Sequence, residues 1–467
     1  MASTVVERPC HVAIVGGGIA GVTLALGLHL RNVSFMVYER SPSFREIGAG
    51  FSFGPNSEQA MHAIHPGIHA AFKSVATPNE AAYFHWMDGF ETGDLLFKLK
   101  VDRELFQGCR RADFLQELVK LLPMEKVRLG SEFVDVSERD DGQLCLHLAD
   151  GTNETCDFGQ YLRPLAVGLQ ELQAKYTSTV VGCDGIWSRV RQTMLGRDHP
   201  AAGPGFTNAV CYRALVPMEK ARLSIGSEKT SSRFMYNGPG GHAITYPVGH
   251  GSMLNVLVVT IDSLPWHEPR GKTTSRGSKE EVVKLFEFWH ATVRAIVDLL
   301  PDELEKWAIF DHFDNPAPAY NKGLVCLAGD AAHAMGPHLG SGAGMGLEDS
   351  AVLLRLITRA KEIQSLGSVP LSRAKLLEAA LQVYNDVRYD RTQWVVRNTR
   401  EACDMYHWQH PNVGKAGDDF GDKIETRLYT VWNFKVQDML DEAVQRFDRM
   451  VKPSPRGQER EVKSLGN

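Results

Sequence analysis

The sequence has no apolar run of the roughly 18 residues that a membrane-crossing helix needs, so no transmembrane segment is expected. Its first ten residues, MASTVVERPC, lack the apolar core of a signal peptide and lead almost at once into a strand-like run; a cytoplasmic location is the expectation. Neither sign of charge predominates. Lys and Arg number 51 against 56 Asp and Glu, a net charge of −5 that gives no reason to expect nucleic acid or an anionic membrane as a partner. No C-x-x-C pair occurs. The eight cysteines (Cys10, Cys109, Cys145, Cys156, Cys183, Cys211, Cys326 and Cys403) are scattered, several in apolar surroundings, and read as reduced structural thiols with no metal site. No internal repeat appears, and 467 residues are too many for one core, so two or three domains are expected.

What is present begins at HVAIVGGGIAGVTLALGLHLRNVSFMVYER, His11 to Arg40. His11 to Val15 is a short β-branched run ending at glycine, as a buried parallel strand would. Gly16, Gly18 and Gly21 supply G-x-G-x-x-G, Ile19 to Leu30 is apolar at helical period, and a second strand, Ser34 to Tyr38, ends at Glu39. Gly16 permits the tight turn, Gly18 lets a pyrophosphate approach the backbone, and Gly21 allows close packing of helix and strand. The helix N-terminus faces the phosphates, and Glu39 can accept from a ribose diol. A lone glycine motif is weak evidence in a chain with 43 glycines; strand, helix, second strand and acid in the right order point to an adenine dinucleotide, without yet choosing NAD or FAD.

The remainder is mixed α/β. GAGFSFGPN (Gly48 to Asn56) is a glycine-rich loop before a helix through Ile64, and Arg110 to Leu122 is an amphipathic helix. VRLGSEFVDVSE and QLCLHLADGT alternate as a hairpin or meander would, and STVVGCDGIWSRVR is a buried strand leading through Asp184-Gly185 into a helix. Between about Val210 and Trp307 strands dominate, as in a largely antiparallel sheet, with a polar loop at Pro265 to Glu281. Strand, glycine loop and helix return at Lys322 to Ile357, and Leu371 to Met450 is helical.

Two further motifs bear on the cofactor: GCDGIWSRVR (Gly182 to Arg191) and GDAAHAMGPHLGSGAGMGLED (Gly329 to Asp349). Singly they read as a turn and a flexible loop. In this order, with Arg111-Ala112-Asp113 between them and the first motif, the chain resembles the group A FAD-dependent aromatic monooxygenases, which include salicylate hydroxylase and p-hydroxybenzoate hydroxylase. The resemblance covers most of Val12 to Ile357 and rests on several separated motifs.

It implies a p-hydroxybenzoate hydroxylase-like α/β fold: a discontinuous Rossmann-type FAD domain, an inserted, mainly antiparallel sheet domain and a helical C-terminus. The divisions expected are 1–80, 105–200 and 319–370 for FAD, 81–104 and 201–318 for substrate, a helical 371–450 and a disordered tail 451–467. It further implies Asp330 on the ribityl chain, backbone at Gly342, Ala343 and Gly344 facing the flavin N1–C2=O edge, and Pro337 beside the place where oxygen reacts. Gly48, Ala49 and Gly50 would pass close to the flavin ring, and Arg111 would reach the pyrophosphate or ribityl oxygens. His333 reads as a residue that packs and hydrogen-bonds locally. No second dinucleotide motif exists for NADPH, which the family admits transiently; NADH is the other option.

On the sheet, alternation places Cys211, Arg213 and Leu215 on one face of VCYRALV, and His242, Ile244 and Tyr246 on one face of HAITYPV. An arginine in an apolar strand must meet an anion, a carbonyl or a carboxylate, so a structural salt bridge and a substrate contact are both open. The resemblance is closest to fungal members that dearomatise resorcinol-type polyketide aldehydes in azaphilone, tropolone and sorbicillin pathways, and implies that Arg213 and Tyr246 hold the substrate phenolate. Met235, Tyr236 and His242 are further candidates for the pocket. DFGQYLRPLAVGLQELQAKY (157–176) is an addition of unknown role that simpler members lack.

The expected activity is thus NADPH- and O2-dependent hydroxylation of a phenolic polyketide through a flavin C4a-hydroperoxide, with dearomatisation where the attacked carbon bears a methyl group. Alternatives are a salicylate-type decarboxylating hydroxylase, an alkene epoxidase, which Arg213 argues against, and a FAD-binding regulatory protein. The oligomeric state stays open, a homodimer among the options.

Overall fold

His11–Val15 is buried at all five positions, and Ser34–Glu39 at its inner four, which requires cover on both faces of the sheet they join. The structure, a computed structural model, describes residues 11–44, 50–138, 144–154, 179–414 and 418–452. In the first sheet the strands run in the order Asn321–Lys322, Val325–Leu327, Thr179–Gly182, His11–Val15, Ser34–Glu39, Val127–Leu129. All neighbours are parallel except the first pair. The helices Ile19–Leu30 and Gly342–Leu366 pack together over it and share its core, with Val22, Leu26, Leu347 and Leu354 fully or almost fully buried.

The second sheet has eight strands: Thr274–Ser278, Glu303–Asp311, Gly205–Pro217, Met253–Ile261, Gly241–Val248, Arg233–Gly238, Tyr83–Asp88 and Leu95–Lys100. Only the contact of Arg233–Gly238 with Tyr83–Asp88 is parallel. Along its central strands Tyr212, Val256, Val258, Phe234 and Tyr236 turn to one face, which the helices Met218–Ile225, Lys279–Leu285 and Ala291–Asp298 cover with Ala221, Val282, Val293 and Ile296. The alternate residues turn to the other face, towards the first sheet. Three helices, Arg373–Tyr406, Asp418–Trp432 and Val436–Val451, close the chain.

Sequence and structure differ at four places. Gly50–Phe53, within the stretch read as a glycine-rich loop, is a strand that pairs antiparallel with Gln107–Arg110. VRLG is not part of the hairpin: Val127–Leu129 pairs in parallel with Ser34–Glu39, while Phe133–Glu138 pairs with Leu144–Leu148. The polar stretch after Pro265 is not loop throughout, because Thr274–Ser278 adds an edge strand and Ser278 caps the helix that follows. Tyr236 lies on the helix-covered face, not in a pocket. Gly48, Ala49, the 157–176 addition, Cys10, Cys156 and residues 453–467 of the tail fall outside the described residues; the other six cysteines are buried and unbridged.

Candidate active site

A cleft of about 1250 Å³ lies between the two sheets, and most of the residues singled out from the sequence line it. Those at its dinucleotide end are Gly16, Gly18, Glu39 and Arg111; Gly50, Asp330, Pro337, Gly342 and Ala343 follow; Arg213, Met235, His242 and Tyr246 form its floor. Gly21 and Gly344 do not line it. A Cβ on Gly21 would lie 2.0 Å from the Gly16 carbonyl oxygen, and one on Gly344 would lie 2.3 Å from Ser57 Oγ, so both serve close packing.

The first turn is built by the backbone. Gly16 has φ +106°, and a Cβ there would lie 2.3 Å from the Cys183 carbonyl oxygen. At Gly18, the N-cap of the first helix, nothing stands within 4 Å of a Cβ position, which leaves the helix N-terminus open to the cleft. Glu39 holds the turn with both oxygens, Oε2 accepting from the Gly17 N–H at 2.6 Å and Oε1 from that of Ser41 at 2.7 Å. Each oxygen retains a lone pair for a ribose. Asp184, by contrast, is committed to the helix that follows it: it accepts from Ser188 Oγ and from the backbone N–H groups of Arg189 and Val190.

A second helix N-terminus opens on the same cleft. Gly342–Leu366 has no acidic residue in its first turn, so its positive end is uncompensated, and the single turn Pro337–Leu339 precedes it. Asp349 Oδ2 accepts from the Gly329 N–H at 2.9 Å and pairs with His333 Nε2 at 2.6 Å, fixing the turn that presents Asp330. His333 is fully buried away from the cleft, in keeping with the local role read from the sequence. Two helix N-termini, an acid at each of two strand ends and a long cleft between them fit a bound FAD. Among the described residues, no group of His, Cys, Asp and Glu could hold a metal, and no helix is long and apolar enough to cross a membrane.

The floor is a grid set by strand register. Arg213 stands opposite Leu257, Leu257 opposite Ile244, and Ile244 opposite Met235. Two residues along, Leu215, Asn255 and Tyr246 form a second row, with Arg233 beside Tyr246 at its end. Two residues the other way, Cys211, Val259 and His242 form a third. An apolar strip is thus flanked by polar groups. Arg213 makes no ion pair among the described residues, although the Glu305 carboxylate acts on it from the neighbouring strand. Its guanidinium lies 3.5 Å from the Trp307 ring, and among the described residues it makes no side-chain hydrogen bond. The Tyr246 hydroxyl likewise has no acceptor among the described residues; burial pushes its pKa up, and Arg233 and Arg213 pull against that. Asn255 Oδ1 accepts from the Gly50 N–H at 3.0 Å, tying the floor to the glycine loop.

Among the residues of this site not singled out from the sequence are Arg233, Trp307, Asn255, Leu257 and His338. Met235, one of the candidates, marks the floor face of its strand, and Arg233 lies two residues before it; the same alternation could have found it. His338 follows Pro337, lines the cleft, and is held neutral: burial, then His407 and Arg400, lower its pKa to about 3. His242 is also neutral, with Nδ1 2.9 Å from His407 Nε2 in a buried pair.

Comparison with known proteins decides the family. The FAD binding domain family matches residues 9–362. The chain belongs to this family. The FAD-dependent monooxygenase pigN of Monascus ruber is 42% identical over 451 residues, covering 95% of this chain and 98% of its own. The FAD-dependent monooxygenase orf3 of Aspergillus niger is 41% identical over 453 residues, covering 94% and 97%. Among solved structures, a salicylate hydroxylase substrate complex superposes with a TM-score of 0.78 at 28% identity over 96% of this chain and 99% of its own. The chain is therefore an enzyme of the FAD-dependent monooxygenase family, with FAD as its cofactor and the fold of the salicylate hydroxylase-like flavoenzymes.

Proposed function

We propose that this enzyme hydroxylates a phenolic polyketide of the resorcylaldehyde type in fungal secondary metabolism, and dearomatises the ring where the attacked carbon carries a methyl group. One observation carries the reading: a guanidinium and a phenol hydroxyl, neither with a hydrogen-bond acceptor among the described residues, flank an apolar strip on the floor of the FAD cleft. That arrangement suits a flat ring bearing one oxyanion. The names of the relatives place FAD-dependent oxygenation in Monascus and Aspergillus, in agreement with it. The balance is one phenol, O2, NADPH and a proton giving hydroxylated product, NADP⁺ and water.

In this reading Gly16, Gly18, Glu39, Arg111 and Asp330 would hold the dinucleotide and ribityl parts of FAD, and the Gly342–Ala343 N-terminus would favour negative charge on its ring. Bound FAD supplies the reduction of oxygen and its activation for transfer. Arg213 and Tyr246 hold the substrate oxygen as phenolate, so that electron density rises at the carbon ortho to it. Leu257, Ile244 and Met235 orient the ring and keep water away from the oxyanion. An alkene epoxidase would have no use for the Arg213 cation. A carboxylated phenol would suit it equally, and the likeness to a salicylate hydroxylase complex makes decarboxylating hydroxylation the second reading.

The test is NADPH oxidation by the yellow, FAD-loaded protein with a panel of methylated resorcylaldehydes and salicylate. A phenol should accelerate NADPH use and appear as a product one oxygen heavier; carbon dioxide release would select the second reading. Equal NADPH oxidation with and without every phenol would remove both.

A further inference from the structure

Arg233 is 2% exposed, and its charge has no carboxylate partner among the described residues. Nη1 donates to Asn79 Oδ1 at 2.5 Å and Nη2 to Ser52 Oγ at 2.8 Å, both neutral acceptors. The guanidinium carbon lies 4.6 Å from the Phe106 ring centroid and 5.3 Å from that of Tyr246. Among the described residues it forms no ion pair. A buried cation without a counter-charge is costly, and two neutral dipoles and two ring faces offset only part of that cost. Buried as it is, its field is screened little by salt and reaches the cleft that Arg233 helps to line.

We infer that Arg233 is a positioning residue that acts through Tyr246, a cation left unpaired so that its counter-charge arrives as the bound anion. The inference rests on the phenolate reading above and extends it from a two-residue clamp to a tyrosine set between two guanidiniums. Besides Arg233, the titratable groups facing Tyr246 are Arg213 and the Cys109 thiol, which burial keeps protonated. Arg213 is itself faced by Cys211, Arg111 and Glu305. Positive charge on both sides strengthens the Tyr246 O–H as a donor and favours the ionised form of a phenol bonded to it. Asn79 is what keeps the cation unpaired. It is 1% exposed, pinned through its backbone to Arg103, and its Nδ2 donates to the Leu105 carbonyl at 3.3 Å, so a carboxylate at this position would meet Arg233 from the same place at the loss of that one contact.

Asn79→Asp therefore neutralises Arg233 without removing it. The probe is 4-nitrophenol bound to the FAD-loaded enzyme without NADPH, its ionisation followed by absorbance across pH. In the wild type the bound probe should ionise at lower pH than the free one. Asn79→Asp should raise the bound pKa by about one unit, weakening nitrophenolate about tenfold, with FAD content unchanged. Arg213→Gln should raise it too. If Asn79→Asp leaves the bound pKa unmoved while Arg213→Gln shifts it, the role of Arg233 is overturned and the phenolate reading stands. A wild type that does not favour nitrophenolate overturns both. Should Asn79→Asp not retain FAD, Arg233→Lys and Arg233→Gln decide: the lysine variant should keep the low bound pKa and the glutamine variant lose it, and equal values overturn the inference.

Discussion

Two buried arginines in this molecule face opposite surroundings. Arg388, fully buried between the closing helices, binds Glu348 through Nη1 at 2.5 Å and Asp349 through Nε at 2.8 Å, and both carboxylates are fully buried with it. Arg233, almost as deeply buried at the floor of the cleft, has two neutral oxygens and no carboxylate. Arg191 is a third case: its guanidinium is spent on the carbonyl oxygens of Ala201, Ala331, Ala332 and Asn315. Away from the cleft, Arg388 and Arg191 have every guanidinium nitrogen bonded to protein oxygen, by two carboxylates and a carbonyl in the first and by carbonyls in the second. Where the interior opens on the cleft, Arg213 and Arg233 form no ion pair among the described residues, an arrangement that is stable only if an anion completes the site or water reaches it. How fully protein oxygens satisfy the guanidinium, whether carboxylate as at Arg388 or carbonyl as at Arg191, thus separates arginines that hold the fold from arginines that await a ligand.

The largest effect should come from breaking the closed side. Arg388→Met leaves Glu348 to Arg391 and Asp349 to His333, both still buried, and should cost about 3–5 kcal/mol of stability in urea unfolding. Such a loss, with product formed per folded, FAD-loaded molecule close to wild type, would mark Arg388 as purely structural. Arg213→Gln should do the opposite. Its stability should stay within about 1 kcal/mol of wild type, because no ion pair is broken, while product formed per NADPH falls roughly 10²–10³-fold and the remaining NADPH consumption ends as hydrogen peroxide. An Arg213→Gln enzyme that unfolds as readily as Arg388→Met yet couples normally would erase the distinction.

How much of this could be read in advance follows from the range of each interaction. The βαβ turn, Glu39 and the floor faces of two strands depend on spacings within about thirty residues, and the periods of strand and helix expose them. Met235 and Tyr236 could not both line one pocket, since neighbours in a strand point to opposite sides; Tyr236 went to the helix-covered face and Arg233, two residues before Met235, took the floor. Trp307 beside Arg213, Ser52 and Asn79 on Arg233, and Asp349 behind Gly329 are products of register and packing between distant segments, and no local pattern announces them.

The smallest expected effect tests whether the open side is also held in place. Trp307 stands opposite Cys211 on the neighbouring strand, two residues short of Arg213, and its ring lies 3.5 Å from the guanidinium. Stacking of this kind contributes about 0.5–2 kcal/mol, so freeing Arg213 from it should weaken binding of a phenolate roughly two- to thirtyfold. Trp307→Phe keeps a ring face and should lose little; Trp307→Leu should lose most of it, as a rise in KM with kcat nearly unchanged. Trp307 also lines the cleft and packs with Cys211 and Ile309, so a larger pocket alone could raise KM. A double-mutant cycle separates the two causes. If Trp307 acts by holding the guanidinium, Trp307→Leu should add nothing once Arg213→Gln has removed it. Additive losses would mean that Trp307 contacts the substrate itself, and that Arg213 keeps its orientation without the ring.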